Sequence, residues 1–164
     1  MTDRTALKDL AASLPFGGAP TEGVITSGQP SASQLASLGA AGCVTVVDLR
    51  APAEPRGFDE PAAVTASGME YFPIPFTAET LGDAQFDRIR EVLRERAERP
   101  LLVHCASANR VGALLIPFFM LDEGRSQNDA LALAQRVGLR SAELAAKALD
   151  YVRRKAGPGS RVSG

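Results

Sequence analysis

Leu7, Leu10, Ala11 and Leu14 recur at the i, i+3, i+4 and i+7 spacing of one helical face, and Pro15 with Gly17 and Gly18 closes that segment. Val24-Ile25-Thr26 forms a short strand candidate. Ser31 followed three residues later by Gln34 is a capping-box pattern, opening a helix that holds Leu35 and Leu38 and stops at Gly42. Cys43-Val44-Thr45-Val46-Val47 is apolar and β-branched throughout, as in strands buried on both faces, and it ends in Asp48-Leu49-Arg50. Beyond a proline-containing loop over 51–56, Asp59-Glu60-Pro61 reads as a cap, an acidic first turn and an early proline of a helix ending near Gly68. Residues 69–74 are strand-like and 75–82 a loop. Phe86, Ile89, Val92 and Leu93 mark one face of the next helix, and Pro100-Leu101-Leu102-Val103 holds the most hydrophobic strand.

After residue 110 the pattern is purely helical. Residues 112–121 are apolar on all sides, which predicts a buried helix kinked at Pro117. Residues 126–137, closed by Gly138, form another, and Leu144, Ala148, Tyr151 and Val152 line the last. Strands alternating with helices predict an α/β fold with a mostly parallel central sheet of about 4–5 strands and helices on both faces. One domain is expected over 1–156, with an N-terminal helix and linker over 1–20, a core over 21–155 and a flexible tail over 157–164.

The 164 residues, 45% of them apolar and 23% charged, suffice for one soluble domain whose core needs no disulfide or metal. A net charge of −1 supplies no field for nucleic acid or an acidic membrane, so neither is an expected partner. Arg88, Arg90, Arg94, Arg96 and Arg99 alternate with Glu91, Glu95 and Glu98, which predicts a solvated helix face. Two cysteines and one histidine exclude a conventional zinc site and make a secreted disulfide scaffold a poor fit, so no metal or cofactor is expected. The first residues lack the basic-then-apolar order of a signal peptide, and a cytoplasmic location is expected.

The chemistry concentrates between residues 101 and 110, where a buried strand passes through His104-Cys105-Ala106-Ser107-Ala108-Asn109-Arg110 into a buried helix. Backbone amides of such a turn converge on one point, the helix adds its positive end, and an arginine there grips an oxyanion bidentately. The same surroundings favour a thiolate, so Cys105 is the candidate nucleophile and Arg110 the group that holds the non-bridging oxygens. Residues 106–109 supply the cradle. Cys43, at the opposite end of its strand, reads as a small core hydrophobe that forms no disulfide with Cys105. Adjacent strand residues point to opposite faces, which gives His104 a buried supporting role beneath the loop rather than that of a base for Cys105. Asp48 and Arg50 end their strand at the same sheet edge, where they pin neighbouring loops or line the pocket. Ser27 and Gln29 are further pocket candidates, with turn formation as the alternative.

His104-Cys105-x-x-x-x-Arg110 resembles the signature loop of cysteine-dependent phosphatases and of rhodanese-type sulfurtransferases. Ser27-Gly28-Gln29-Pro30, Val46-Val47-Asp48-Leu49-Arg50 and Ile74-Pro75 extend the resemblance, over roughly residues 21–145, to bacterial dual-specificity-like phosphatases. That group includes the phosphatase-like domain of beta-lactamase-hydrolase-like proteins. The resemblance implies a dual-specificity-phosphatase-like fold and hydrolysis of a phosphorylated protein or small molecule through a phosphocysteine on Cys105. It also implies an aspartate general acid on the loop before the main helix, for which Glu79 and Asp83 are the nearby carboxylates. A solvated charge and a helix cap are their ordinary readings.

Three features depart from the family pattern. Four residues separate cysteine from arginine where tyrosine phosphatases have five, which is the rhodanese spacing. Ala108 replaces a glycine, so its methyl opposes a positive φ, and Val111 replaces the hydroxyl residue that follows the arginine. Sulfur transfer through a Cys105 persulfide is therefore one alternative, and a catalytically impaired module that only binds phosphoanions is another.

Overall fold

A computed structural model describes residues 2–96 and 99–157; most of the expected tail, 158–164, lies outside the described residues. The strands are β1 (Gly18–Thr21), β2 (Val24–Ser27), β3 (Thr45–Asp48), β4 (Glu70–Pro73) and β5 (Leu101–His104). The helices are α1 (Arg4–Ser13), α2 (Ala32–Ala40), α3 (Glu60–Ala66), α4 (Asp83–Glu95), α5 (Asn109–Pro117), α6 (Gln127–Val137) and α7 (Ala142–Ala156). The sheet runs β1-β2-β5-β3-β4, parallel from β2 to β4, with β1 antiparallel at one edge.

Alternation along the strands divides the core in two. Val24, Val47 and Val103 face the layer of α4, α5, α6 and α7, whereas Ile25, Val46 and Leu102 face α1, α2 and α3. β5 lies at the centre, and its four residues are all buried, as the hydrophobic run predicts. Register places Ser27, His104, Asp48 and Pro73 side by side at the C-terminal edge of the sheet. The Ser-Gly-Gln-Pro, Asp-Leu-Arg and His-Cys segments thus leave the sheet together.

The Ser31–Gln34 capping box forms as read, and Asp59 caps α3 by accepting from the Ala62 amide at 3.1 Å. Pro117 ends α5 in a π-helical turn, Phe118–Asp122, because its missing N–H breaks the i−4 ladder. Two expectations need correction. Residues 18–20, read as linker, belong to β1, whose Gly-Ala-Pro-Thr sequence has no hydrophobic alternation; proline is tolerated there because β1 is an edge strand. The arginine face of α4 is not simply solvated. Arg90 is forked onto Asp122 at 2.8 and 3.1 Å and reaches the Tyr151 hydroxyl, while Arg96 binds Glu70 and lies over the Phe72 ring. No helix among the described residues is long and apolar enough to cross a membrane.

Candidate active site

The loop after β5 is fixed from the β2 side. The Cys105 amide donates to the Ser27 carbonyl at 3.3 Å and the Gln29 amide to the Ala106 carbonyl at 3.1 Å. A Cβ on Gly28 would lie 2.5 Å from the Ala106 carbonyl oxygen, so only glycine lets the two loops approach this closely. Ala108, the residue before α5, adopts φ 65°, the left-handed conformation its methyl opposes. Room for that methyl comes from Gly138, where a Cβ would sit 2.8 Å from the Ala108 Cβ. The side chain missing at 138 accommodates the one added at 108. The turn between α6 and α7 also grips the loop directly: Asn109 Oδ1 accepts from the Arg140 and Ser141 amides, and Arg140 donates to Ser107 Oγ at 2.8 Å.

Cys105 is buried beside Arg110, close enough for the guanidinium charge and the sulfur to act on each other. The other end of Arg110 is forked onto Glu54, with both N···O distances 2.9 Å, and also donates to the Phe76 carbonyl at 3.2 Å. Glu54 additionally accepts from Arg50 Nε at 3.1 Å and from the Ala51 amide, and Arg50 reaches Gln29 Oε1 at 2.8 Å. The clasp fixes the orientation of the Arg110 guanidinium. Arg110 hydrogen bonds hold the Glu54 carboxyl at about 2, against burial that pushes the other way. A group depressed from about 4.5 to about 2 contributes stability that is complete above the higher value and disappears as pH falls through the lower. The gap in melting temperature between the native chain and Glu54→Gln is therefore expected to be constant above pH 5, to narrow below about 4.5 and to close as pH falls through about 2; a gap independent of pH would refute the clasp.

Beneath the loop lies a fully buried cluster of Asp48, Glu60 and His104. Asp48 accepts from Arg56 at 2.7 Å, from the Tyr71 hydroxyl at 2.6 Å and from the Arg50 amide at 2.9 Å. Its ionic partner is thus Arg56, while the Arg50 guanidinium turns to Glu54 and Gln29. Glu60 accepts from Gln29 and Arg56 and lies 2.5 Å from His104 Nε2. His104 Nδ1 lies 3.2 Å from the Cys105 carbonyl, which can only accept, so Nδ1 carries a proton and another is shared between Nε2 and Glu60. On whichever side that proton lies, Asp48, Glu60, Arg56 and His104 sum to zero charge. The ligand atoms of Asp48, Glu60 and His104 are close enough together to hold a cation, but both carboxylates are already paired with Arg56.

The two carboxylates considered for proton donation lie apart from this constellation. Asp83 opens α4 and is forked onto Arg154 of α7 at 2.7 and 2.8 Å, which draws its carboxyl below the usual range. Glu79 is exposed in the turn between Thr77 and Thr80; its own amide, the Thr77 hydroxyl and nearby Lys147 also lower it. Ser27 points its hydroxyl at the Gly28 carbonyl. Cys43 is free, and burial pushes its thiol up to about 11. The sequence reading did not single out Glu54, Arg56, Tyr71 or Arg140, and it took Glu60 for an ordinary first-turn acid.

A cysteine and an arginine at the two ends of a strand-loop-helix turn, on the C-terminal edge of a mostly parallel five-stranded sheet, are common to cysteine-dependent phosphatases and rhodanese-type sulfurtransferases. Residues 19–152 match the family described as the DSP-PTPase phosphatase fused to NAD+ kinase, and the chain belongs to that family of cysteine-dependent, dual-specificity-like phosphatase domains. The beta-lactamase hydrolase-like protein of Agrobacterium fabrum is 31% identical over 110 residues, which are 65% of this chain and 25% of that protein. The chain thus spans about a quarter of that curated relative. Among solved structures, a DUF442 protein of Shewanella putrefaciens CN-32 has a TM-score of 0.74 at 18% identity, covering 87% of this chain and 95% of the other. TpbA of P. aeruginosa, solved in complex with pTyr, has a TM-score of 0.63 at 24% identity, covering 88% of this chain and 82% of the other. The α/β fold and phosphatase class expected from the sequence are those found.

Proposed function

We propose that this chain hydrolyses phosphate monoesters through a phosphocysteine on Cys105. The observation that carries the reading is the Arg110 guanidinium, clasped by Glu54 and held beside the buried Cys105. The thiolate attacks phosphorus while Arg110 and the amides of residues 106–110 hold the three non-bridging oxygens. The P–O ester bond breaks, and its electron pair leaves with the alcohol oxygen. Water then attacks phosphorus, the S–P bond breaks, inorganic phosphate departs and the thiolate returns. Neither step requires a metal or an organic cofactor.

Of the two carboxylates, Glu79 is the proposed proton donor. Its loop begins at Phe76, whose carbonyl already touches Arg110, whereas Asp83 is committed to Arg154. With its carboxyl lowered, Glu79 is ionised at neutral pH and assists a poor leaving group weakly. Para-nitrophenyl phosphate should accordingly turn over at least about a hundredfold faster than an alkyl phosphate such as phosphoserine, given the size of general acid effects. A cytoplasmic, reducing setting suits the two free cysteines, and a phosphorylated protein or small molecule is the proposed partner, with neither nucleic acid nor membrane required.

The test is acid quenching during para-nitrophenyl phosphate turnover in EDTA and reductant, followed by mass spectrometry of the peptide holding Cys105. A phosphate adduct on Cys105 supports the mechanism, and turnover that leaves Cys105 without an adduct overturns it. The four-residue spacing favours one second reading, sulfur transfer, for which thiosulfate would leave a persulfide on Cys105 and produce thiocyanate from cyanide.

A further inference from the structure

Phe16 is the exposed large hydrophobic residue among those described, with 59% of its surface open, and it adopts φ 51°. A left-handed conformation disfavours an L-residue, and burial of the ring does not compensate for it. The turn between α1 and β1 is nevertheless held firmly: the Gly28 amide donates to the Pro15 carbonyl at 2.7 Å and the Gly17 amide to the Leu14 carbonyl at 3.0 Å. A Cβ on Gly28 would come within 3.1 Å of Phe16 Cδ2, so the ring rests on the bare backbone of Gly28, which bridges to Ser107 of the catalytic loop.

Arg140 reaches the same place from the opposite side of the chain. Its guanidinium donates to Ser107 Oγ at 2.8 Å and to the Gly138 carbonyl at 3.1 Å, and its Cζ lies 5.9 Å from the Phe16 ring centroid. Three separate segments thus converge to hold one solvent-facing aromatic ring beside Ala106 and Ser107. Ala106 and Ser107 belong to the loop that would cradle a bound phosphate, and Gly28 joins the ring to that loop.

We propose that Phe16, positioned by Arg140, is a specificity-determining residue: its ring offers a flat apolar face to the group esterified to the phosphate. The proposal rests on the phosphatase reading of Cys105 and Arg110 and adds to it a wall contributed by the N-terminal turn. An aromatic ester group stacks on that face and an alkyl group does not. Arg140 is engaged by Ser107, the Gly138 carbonyl and the ring itself, so its geometry suits holding Phe16 better than receiving a second anion.

The test is titration calorimetry on the Cys105→Ser protein with phenylphosphonate, methylphosphonate and inorganic phosphate. Phenylphosphonate should bind about three- to tenfold more tightly than methylphosphonate, the gain typical of an aromatic pair. Phe16→Ala should bring that ratio close to one, and Phe16→Tyr should keep it. A ratio unchanged in Phe16→Ala, or an equal loss for both phosphonates, overturns the proposal, the second result showing a ring that merely props the loop. A preference for methylenebisphosphonate that Arg140→Gln removes, with no preference for phenyl, overturns it in favour of a second anion. Failure of all three anions to bind, with no hydrolysis of para-nitrophenyl phosphate by the native chain, defeats the phosphatase reading beneath it.

Discussion

Cys105→Ser is expected to lower hydrolysis of para-nitrophenyl phosphate at least about a thousandfold, the scale on which removal of a nucleophile acts. A thiol is partly ionised near neutral pH and strongly nucleophilic in that form, whereas a hydroxyl needs an adjacent base to act. The site supplies no such base. The ring nitrogens of His104 are taken by the Cys105 carbonyl and Glu60, and the Glu54 carboxylate is occupied by Arg110 and Arg50. The serine protein should still bind inorganic phosphate, because the charge that attracts it belongs to Arg110 and the loop amides. Initial rates and phosphate titrations on both proteins check this pair of outcomes, and a serine variant keeping a tenth of the native rate would sink the assignment of Cys105.

Much of this site was legible because its parts are contiguous in sequence and its chemistry is residue-specific. His104, Cys105 and Arg110 occupy a single turn, and strand polarity alone puts Asp48, Arg50 and Ser27 on the same sheet edge. What escaped the reading depends on contacts between distant segments. Glu54 meets Arg110 across 56 positions, Glu60 meets His104 across 44, and Arg140 meets Ser107 across 33. Nothing local separates Glu60 from any acid in the first turn of a helix, although a proline-rich loop holding both Glu54 and Arg56 beside Asp-Leu-Arg was a usable signal. Ala108 shows the same limit. Its departure from glycine implied strain at a positive φ, and the relief lies at Gly138, thirty positions away by sequence number and against its methyl in space. The edge strand β1 escaped because hydrophobic alternation marks strands with a buried face, and Gly18–Thr21 has none fully buried.

The buried cluster predicts the second large effect. Glu60→Ala removes one of two carboxylates facing Arg56 and His104, in a place no water reaches. Arg56 and His104 then each lose a buried partner, and loss of one member from a buried ionic set costs about 3–5 kcal/mol. For a chain of this size that corresponds to a fall in melting temperature of about 10 °C. Glu60→Gln should cost less, since the amide oxygen still accepts from Arg56 and fills the same volume. It should nevertheless slow phosphate ester hydrolysis, because the proton held between Glu60 and His104 fixes the imidazole, and His104 Nδ1 in turn fixes the carbonyl of the nucleophile at 3.2 Å. Urea denaturation of the three proteins, run beside their aryl phosphate kinetics, separates these roles. A loss below about 1 kcal/mol in Glu60→Ala, the range of exposed pairs, would mean that the cluster is solvated rather than buried. A Glu60→Gln protein with native kinetics would mean that the imidazole is held by its Cys105 contact alone.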